Sequence, residues 1–127
     1  MRQFHYLVDY MSDIKERIEN TEHDIKEIMV SSVCIMLKKN KQRGDAWRFS
    51  GLIGQFIEIH SMYKRLRNLI WEIDTPKIGT DERVEWDKQI KNALEDLRNF
   101  TMLAEICLNE NNIKGQEISE LGERYAK

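Results

Sequence analysis

Apolar residues recur along this chain at alternating intervals of four and three, and this spacing constrains its fold most. Because an α-helix turns once every 3.6 residues, such intervals place all members of a row on one helical face. A single proline among 127 residues also favours helices over sheets. The first row, called the N-terminal seam from here on, comprises Leu7, Met11, Ile14, Ile18, Thr21, Ile25 and Ile28.

Two further seams follow, separated by turn and loop residues. Gly44 and Asp45 mark a turn, and the segment DTPKIGT over residues 74–80 marks a loop. The seam between them comprises Leu52, Phe56, Ile59, Tyr63, Leu66, Ile70 and Ile73, and the seam after the loop comprises Trp86, Ile90, Ala93, Leu97, Phe100, Ala104 and Cys107.

The helix signals favour four helices, with a single helix of ~38 residues over residues 2–39 as the alternative to the first two. Thr21 followed by Asp24 resembles a capping box, which places a break near Asn20 and Thr21. Thr80 or Asp81 is expected to cap the last helix. The predicted bounds are 3–19, 22–39, 50–72 and 81–108.

Seams with a mean spacing of 3.5 residues and short connections predict an all-α, antiparallel helical bundle. We expect one domain over residues 1–127, with a core at 22–109 and an added N-terminal helix at 1–20. Residues 113–127 form either a short tail helix or a frayed end. Because a domain of this size buries a small share of its surface, we expect a homo-oligomer, a dimer or higher.

The formal net charge of −2 favours neither nucleic acid nor a membrane as a partner. Charges interrupt the first thirty residues, so we expect no signal peptide and a cytoplasmic protein, in the host cytoplasm if the source is viral. Cys34 and Cys107 lie in apolar helical stretches without metal-binding spacing. We expect both to be buried free thiols in a reducing compartment.

Residues 44–69 combine unusual residue types and carry most candidate ligand-binding side chains. Residues 37–67 include eight cationic residues and only two acidic ones. This local excess of positive charge either binds a phosphate or is simply a solvated basic surface. Gly51 and Gly54 weaken the start of the third helix by about 1 kcal/mol each. Close approach of another helix, or an anion at the helix N-terminus, would offset that cost.

Polar residues also recur beside the seams of the third and fourth helices. If the two stripes face each other they line a polar groove, whereas otherwise they are ordinary flanking positions. The first stripe comprises Gly54, Glu58, Ser61, Arg65, Asn68 and Glu72, and the second comprises Glu85, Gln89, Asn92, Asp96 and Asn99.

Particular side chains suit a nucleotide ligand. Glu58 and Asp96 are candidate magnesium ligands, since magnesium takes one or two carboxylates together with substrate phosphates. Trp47 either stacks on a base or closes the end of the core. Phosphate oxygens would contact Arg48, Lys64, Arg65 and Arg67. Asp45, Asn68, Asp96 and Asn99 would hold the base, the sugar or a metal.

Several short segments resemble the nucleotide-modification-associated helical domains of phages and bacteria, which are similar to the all-α nucleoside triphosphate pyrophosphatases of the MazG-like group. The resemblance covers about residues 22–109. The segments that carry it are GDAWR at 44–48, Gly51 and Gly54 before Phe56, RLRNL at 65–69 and DLRNF at 96–100.

This resemblance implies a helical bundle, a nucleotide ligand, magnesium and an oligomer. Acidic pairs on neighbouring helices bind magnesium in the pyrophosphatase group and activate water. Here Ser61 follows Glu58 where an acid is expected, and Asn92 stands one turn before Asp96 where the resembling domains carry an aspartate. Since asparagine brings no negative charge, nucleotide binding is carried over more firmly than hydrolysis.

Three functions are therefore open at this point. The first is a nucleotide-binding protein that sequesters its ligand without turnover. The second is a magnesium-dependent pyrophosphohydrolase of nucleoside triphosphates that uses Glu58, Glu95 and Asp96. The third is a protein-interaction module without a small ligand, supported by the N-terminal seam, which is able to pair between subunits.

Overall fold

A computed structural model of the chain describes residues 2–115, which are helical and contain no strand. The all-α prediction is confirmed for this range. A 3₁₀ turn (Ala46–Phe49) precedes the second α-helix, and a π-helical turn (Asn68–Glu72) follows it. The α-helices are α1 (Arg2–Arg43), α2 (Gly51–Arg67) and α3 (Asp81–Asn109). Most of the tail predicted for residues 113–127 lies outside the described residues.

Helix α1 is continuous, so the break predicted near Asn20 and Thr21 is wrong. The Thr21 hydroxyl donates to the carbonyl of Arg17, 2.9 Å away and one turn earlier, and so bonds within the helix instead of capping a new one. No glycine or proline interrupts residues 2–43. At a rise of 1.5 Å per residue, α1 is ~63 Å long.

The chain divides into two compact units after Lys39. In the first unit, α1 exposes the whole circumference of residues 5–31. The N-terminal seam lies within this stretch, and the exposed fraction of its apolar side chains runs from 38% at Ile14 to 62% at Met11. The helix predicted from the seam is confirmed, and its apolar face is open.

In the second unit α2 packs against α3. Every member of the seam predicted for α3 is buried or half-buried, and Ala93 and Cys107 are fully buried. The seam predicted for the preceding helix needs correction, because four of its members are exposed: Phe56, Tyr63, Ile70 and Ile73. The row that this segment buries or half-buries instead comprises Gly51, Leu52, Gln55, Ile59, Met62, Leu66 and Leu69.

The ends of α2 explain why its buried row is displaced. At the N-terminus, the amides of Leu52 and Ile53 donate to the carbonyls of Asn112 and Ile113, each over 3.0 Å. At the C-terminus, the indole of Trp86 donates to the Leu69 carbonyl over 2.7 Å, within the π-helical turn. These contacts orient Gly51 and Leu69 inwards, and Phe56 and Tyr63 therefore face outwards.

Neither of the two causes predicted for the glycines of α2 applies to Gly51. It has a φ of +63°, and a Cβ there would lie 2.9 Å from the Ile113 carbonyl oxygen. The close neighbour is the segment after α3 rather than another helix. The carbonyls of that segment also accept the amides that an anion at this helix end would need.

The start of α3 follows the prediction, since the Thr80 hydroxyl accepts a hydrogen bond of 3.2 Å from the amide of Arg83. Gly44 and Asp45, both with φ near +60°, form the predicted turn after α1. None of the helices in residues 2–115 is long and apolar enough to cross a membrane.

Candidate functional site

In the second unit, the guanidinium of Arg48, on the 3₁₀ turn, binds two carboxylates. Its Nη2 and Nε atoms contact the two oxygens of Glu110 over 2.8 and 3.1 Å, and its Nη1 contacts Asp45 over 2.6 Å. The Arg48 side chain is only 13% exposed. A two-point arginine–carboxylate contact of this kind fixes geometry as well as charge.

Trp47 completes this arrangement on its other side. The Arg48 guanidinium lies 4.3 Å from the centre of the Trp47 ring, which is a cation–π contact. The indole nitrogen donates to the side-chain oxygen of Asn40 over 2.8 Å. Trp47 is therefore half-buried and held from both ends, as the core-closing alternative for this residue expects.

Asn112 ties the same region to the end of α3. Its side-chain amide donates to the Arg48 carbonyl over 2.9 Å, and its side-chain oxygen accepts from the Gly115 amide over 3.0 Å. Asn112 is only 4% exposed. We call Asp45, Trp47, Arg48, Glu110 and Asn112 the Arg48 clasp.

The clasp contains three of the predicted nucleotide-binding residues, Asp45, Trp47 and Arg48. In the structure they bind one another and the end of α3. The clasp, in which one cation lies between two carboxylates, is thus an internal lock between two segments that are about sixty residues apart in sequence.

The other predicted cations lie on α2 at its surface. Lys64, Arg65 and Arg67 are exposed there, and so is Asn68, the first residue of the π-helical turn. Arg67 and Asn68 follow Lys64 by three and four residues and so lie one turn further along the same face, and Trp71 lies one turn beyond them. Trp71 is 73% exposed. We call Lys64, Arg67, Asn68 and Trp71 the basic face.

A neighbouring carboxylate neutralises the positive charge of the basic face only in part. The Nε atom of Arg67 lies 3.7 Å from a carboxylate oxygen of Glu72, and both side chains are more than half exposed. Exposed pairs at such distances are weak and are screened by salt. The basic face thus presents cations and an aromatic ring to solvent.

The candidate catalytic and metal-binding acids lie on different helices. Glu58 is exposed on α2, whereas Glu95 and Asp96 are half-buried on α3. Within the described residues, no group of three or more His, Cys, Asp and Glu side chains is able to hold a metal ion. A magnesium ion that takes one or two carboxylates together with substrate phosphates needs no such group, so magnesium at Glu58 and Asp96 stays a prediction.

The two polar stripes differ in their burial. On α2 the stripe members from Glu58 to Glu72 are exposed, whereas on α3 Gln89 and Asp96 are half-buried. Asn99 is only 7% exposed, and its side-chain oxygen has no hydrogen-bond partner within residues 2–115. This candidate ligand residue is accordingly part of the interior of the second unit.

The two cysteines have opposite environments. Cys107 is fully buried, as predicted, whereas Cys34 is exposed, which corrects the prediction for that residue. Burial raises the pKa of the Cys107 thiol, and the Glu110 carboxylate raises it further, while Arg48 acts in the opposite direction. Cys107 is therefore a protonated structural thiol at neutral pH.

Comparison with models of protein families, with curated proteins and with solved structures gave no match for this chain.

Three important residues were missed in the sequence. Asn40 and Glu110 lie just after the predicted ends of helices, where polar residues are ordinary terminators, and no spacing connects Glu110 with Arg48. Trp71 could be recognised from the sequence as a surface residue beside Arg67, because it follows Arg67 by four residues and falls outside the apolar seam of its helix.

Replacement of Arg48 by methionine tests whether the clasp is structural. The change leaves two partly buried carboxylates without their cation, so we expect the free energy of unfolding to fall by about 2–4 kcal/mol. Arg65→Met is the matched control, because it removes an exposed cation and should cost less than about 0.5 kcal/mol. Urea denaturation measures both. Equal, small effects would contradict a structural clasp.

Proposed function

We propose that this chain is a helical protein-interaction module that binds another helix along the N-terminal seam of α1. The observation that carries the proposal is the exposure of every apolar seam residue between Leu7 and Ile28. Burying an aliphatic side chain of this size contributes about 1.5–3 kcal/mol, so six such residues offer a substantial driving force for association.

The remaining surface of α1 supports an interaction through one face. Asp9, Asp13, Glu16 and His23 lie away from the seam, and His23 forms an exposed pair of 3.0 Å with Glu27. A long helix with one apolar stripe and a charged outer surface is typical of a coiled-coil strand. Pairing of such strands would also complete the bundle and the oligomer expected from the sequence.

A charge within the seam tests this proposal. Ile18→Asp would place a carboxylate in the middle of the buried stripe, so we expect sedimentation to show loss of the assembled species. Glu16→Asn, on the outer face, is the matched control and should leave the sedimentation unchanged. Circular dichroism verifies that both variants remain helical. If the native chain assembles and the Ile18→Asp variant assembles equally well, the proposal is contradicted.

A second candidate function is the binding of a nucleotide at the basic face, and exposed Trp71 favours it. Lys64 and Arg67 offer donors to phosphate oxygens, and the Trp71 ring offers a stacking surface for a base at the next turn. The π-helical geometry of this turn is also frequent at functional sites. In this second candidate the ligand binds at the C-terminal end of α2 and not beside Arg48, which precedes the N-terminal end.

Fluorescence and thermal unfolding test the second candidate together. We expect linear or cyclic nucleotides, with or without magnesium, to raise the unfolding midpoint and to quench the emission of Trp71, the most exposed of the three tryptophans. The double variant Lys64→Gln/Arg67→Gln should weaken binding by about tenfold or more.

Lys77→Gln, which neutralises another exposed cation, is the control and should bind like the native chain.

An assay of released pyrophosphate in the same mixtures shows whether a bound triphosphate is hydrolysed, and loss of turnover in Asp96→Ala would implicate that acid. Unchanged fluorescence and midpoint with every nucleotide would contradict this candidate.

A further inference from the structure

We propose that the helix that occupies the N-terminal seam is α1 of a second copy of this chain, in antiparallel orientation, with a two-fold axis between Glu19 and Asn20. This inference rests on the interaction function proposed above and specifies its partner. It follows from the heptad positions of residues 8–31, all of which are exposed.

The seam residues alternate between the a and d positions of a heptad. Ile18 and Ile25 occupy a positions, and Ile14, Thr21 and Ile28 occupy d positions. In an antiparallel pair, each a residue lies opposite a d residue of the other strand. The proposed axis gives the layers Met11 with the partner's Ile28, Ile14 with the partner's Ile25, and Ile18 with the partner's Thr21, each present twice by symmetry.

The polar member of the seam is compatible with this core. The Thr21 hydroxyl already donates to the Arg17 carbonyl of its own helix, so its methyl group is available to the opposite strand. In the antiparallel arrangement this methyl group meets the partner's Ile18, whereas a parallel pair would place two threonines in one layer. The antiparallel core therefore separates its polar groups.

The flanking charges provide the strongest argument. In an antiparallel coiled coil, e positions lie beside e positions and g positions beside g positions. The proposed axis places Lys15 beside the partner's Glu22, and Arg17 beside the partner's Asp24. Symmetry doubles both pairs, so every charged flanking residue of this segment meets a residue of opposite charge.

The uncharged flanking positions agree with the same register. Val8 lies beside the partner's Met29, which joins two exposed apolar residues. The pairing ends there, because the next layer would place Leu7 opposite the partner's Ser32. Ser32 is only 2% exposed within its own chain and is not available to a second helix.

Other registers lose this complementarity. A shift of one heptad in one direction opposes Glu22 with Glu22 and Asp24 with Asp24. A shift in the other direction opposes Lys15 with Lys15 and Arg17 with Arg17. Like charges in such positions destabilise a pair, so both shifted registers are disfavoured.

A parallel pair forms one kind of ion pair instead of two. There g positions face the e positions of the following heptad, so Arg17 meets the partner's Glu22. Lys15 then faces Tyr10, and Asp24 faces Met29. The sequence thus matches the antiparallel register with twice as many opposite-charge contacts.

Charge exchange in the full-length chain tests the orientation. In the proposed dimer, Lys15→Glu creates two contacts between like charges, and so does Glu22→Lys. We expect each single variant to raise the dissociation constant measured by sedimentation about tenfold or more at low salt. The double variant Lys15→Glu/Glu22→Lys should return to near the native value, and a mixture of the two single variants should form the mixed dimer.

Glu16→Lys, on the outer face, is the control for a change in net charge and should self-associate like the native chain. A parallel dimer would give the opposite pattern, because the lysine introduced by Glu22→Lys would then face Arg17 in the double variant. A double variant weaker than Lys15→Glu alone would therefore overturn the antiparallel register.

The outcomes separate this inference from the interaction function beneath it. If Ile18→Asp disrupts the dimer but the charge exchange follows the parallel pattern, the seam still mediates assembly and only the antiparallel inference fails. If native chains remain monomeric at every concentration, the second copy is not the occupant. If the dimer survives Ile18→Asp, both proposals fail.

Discussion

Helix α1 carries an apolar face that its own unit leaves exposed, and the proposed function of the protein depends on what covers that face. Isolated helices gain little stability from propensity alone, and most of their stability comes from packing of an apolar face. A continuous helix of 42 residues therefore needs a surface against which to pack its seam. A second copy in antiparallel orientation supplies one and also satisfies the flanking charges.

The second unit is organised differently, around a polar lock. Arg48 binds Glu110 and Asp45, while the segment after α3 accepts the first amides of α2. Its apolar core is small, with Leu69, Ala93 and Cys107 as its buried members among the described residues. A network of partly buried polar contacts fixes one arrangement where apolar burial alone is modest.

The sequence predicted what depends on local pattern. The helical class, the bounds of α2 and α3 within a few residues, the Thr80 cap and the turn at Gly44 all follow from periodicity and local chemistry. The prediction of a helix break at Thr21 was wrong because a threonine that bonds back to the preceding turn cannot be told from a capping threonine in the sequence. The prediction of which α2 residues are buried was wrong because contacts with Asn112 and Trp86, distant in sequence, determine which face of the helix turns inwards.

The candidate site shows the same limit. That Lys64 and Arg67 are surface cations could be predicted, but the structural partners of Arg48 could not, because its carboxylate at Glu110 is 62 residues away. Cation-rich segments look alike in sequence whether their charges meet internal acids or solvent. Only the fold separates the clasp from the basic face.

The distance between the Cys34 residues of two associated chains tests the central claim most directly. Cys34 is the exposed thiol and Cys107 is buried, so a spin label attaches selectively to the native chain. The antiparallel pair places the two labels about 40–50 Å apart along the helices, given a rise of 1.5 Å per residue. Pulsed electron paramagnetic resonance that finds this distance supports the account, whereas a distance near the width of a coiled coil, about 10–20 Å, would contradict it.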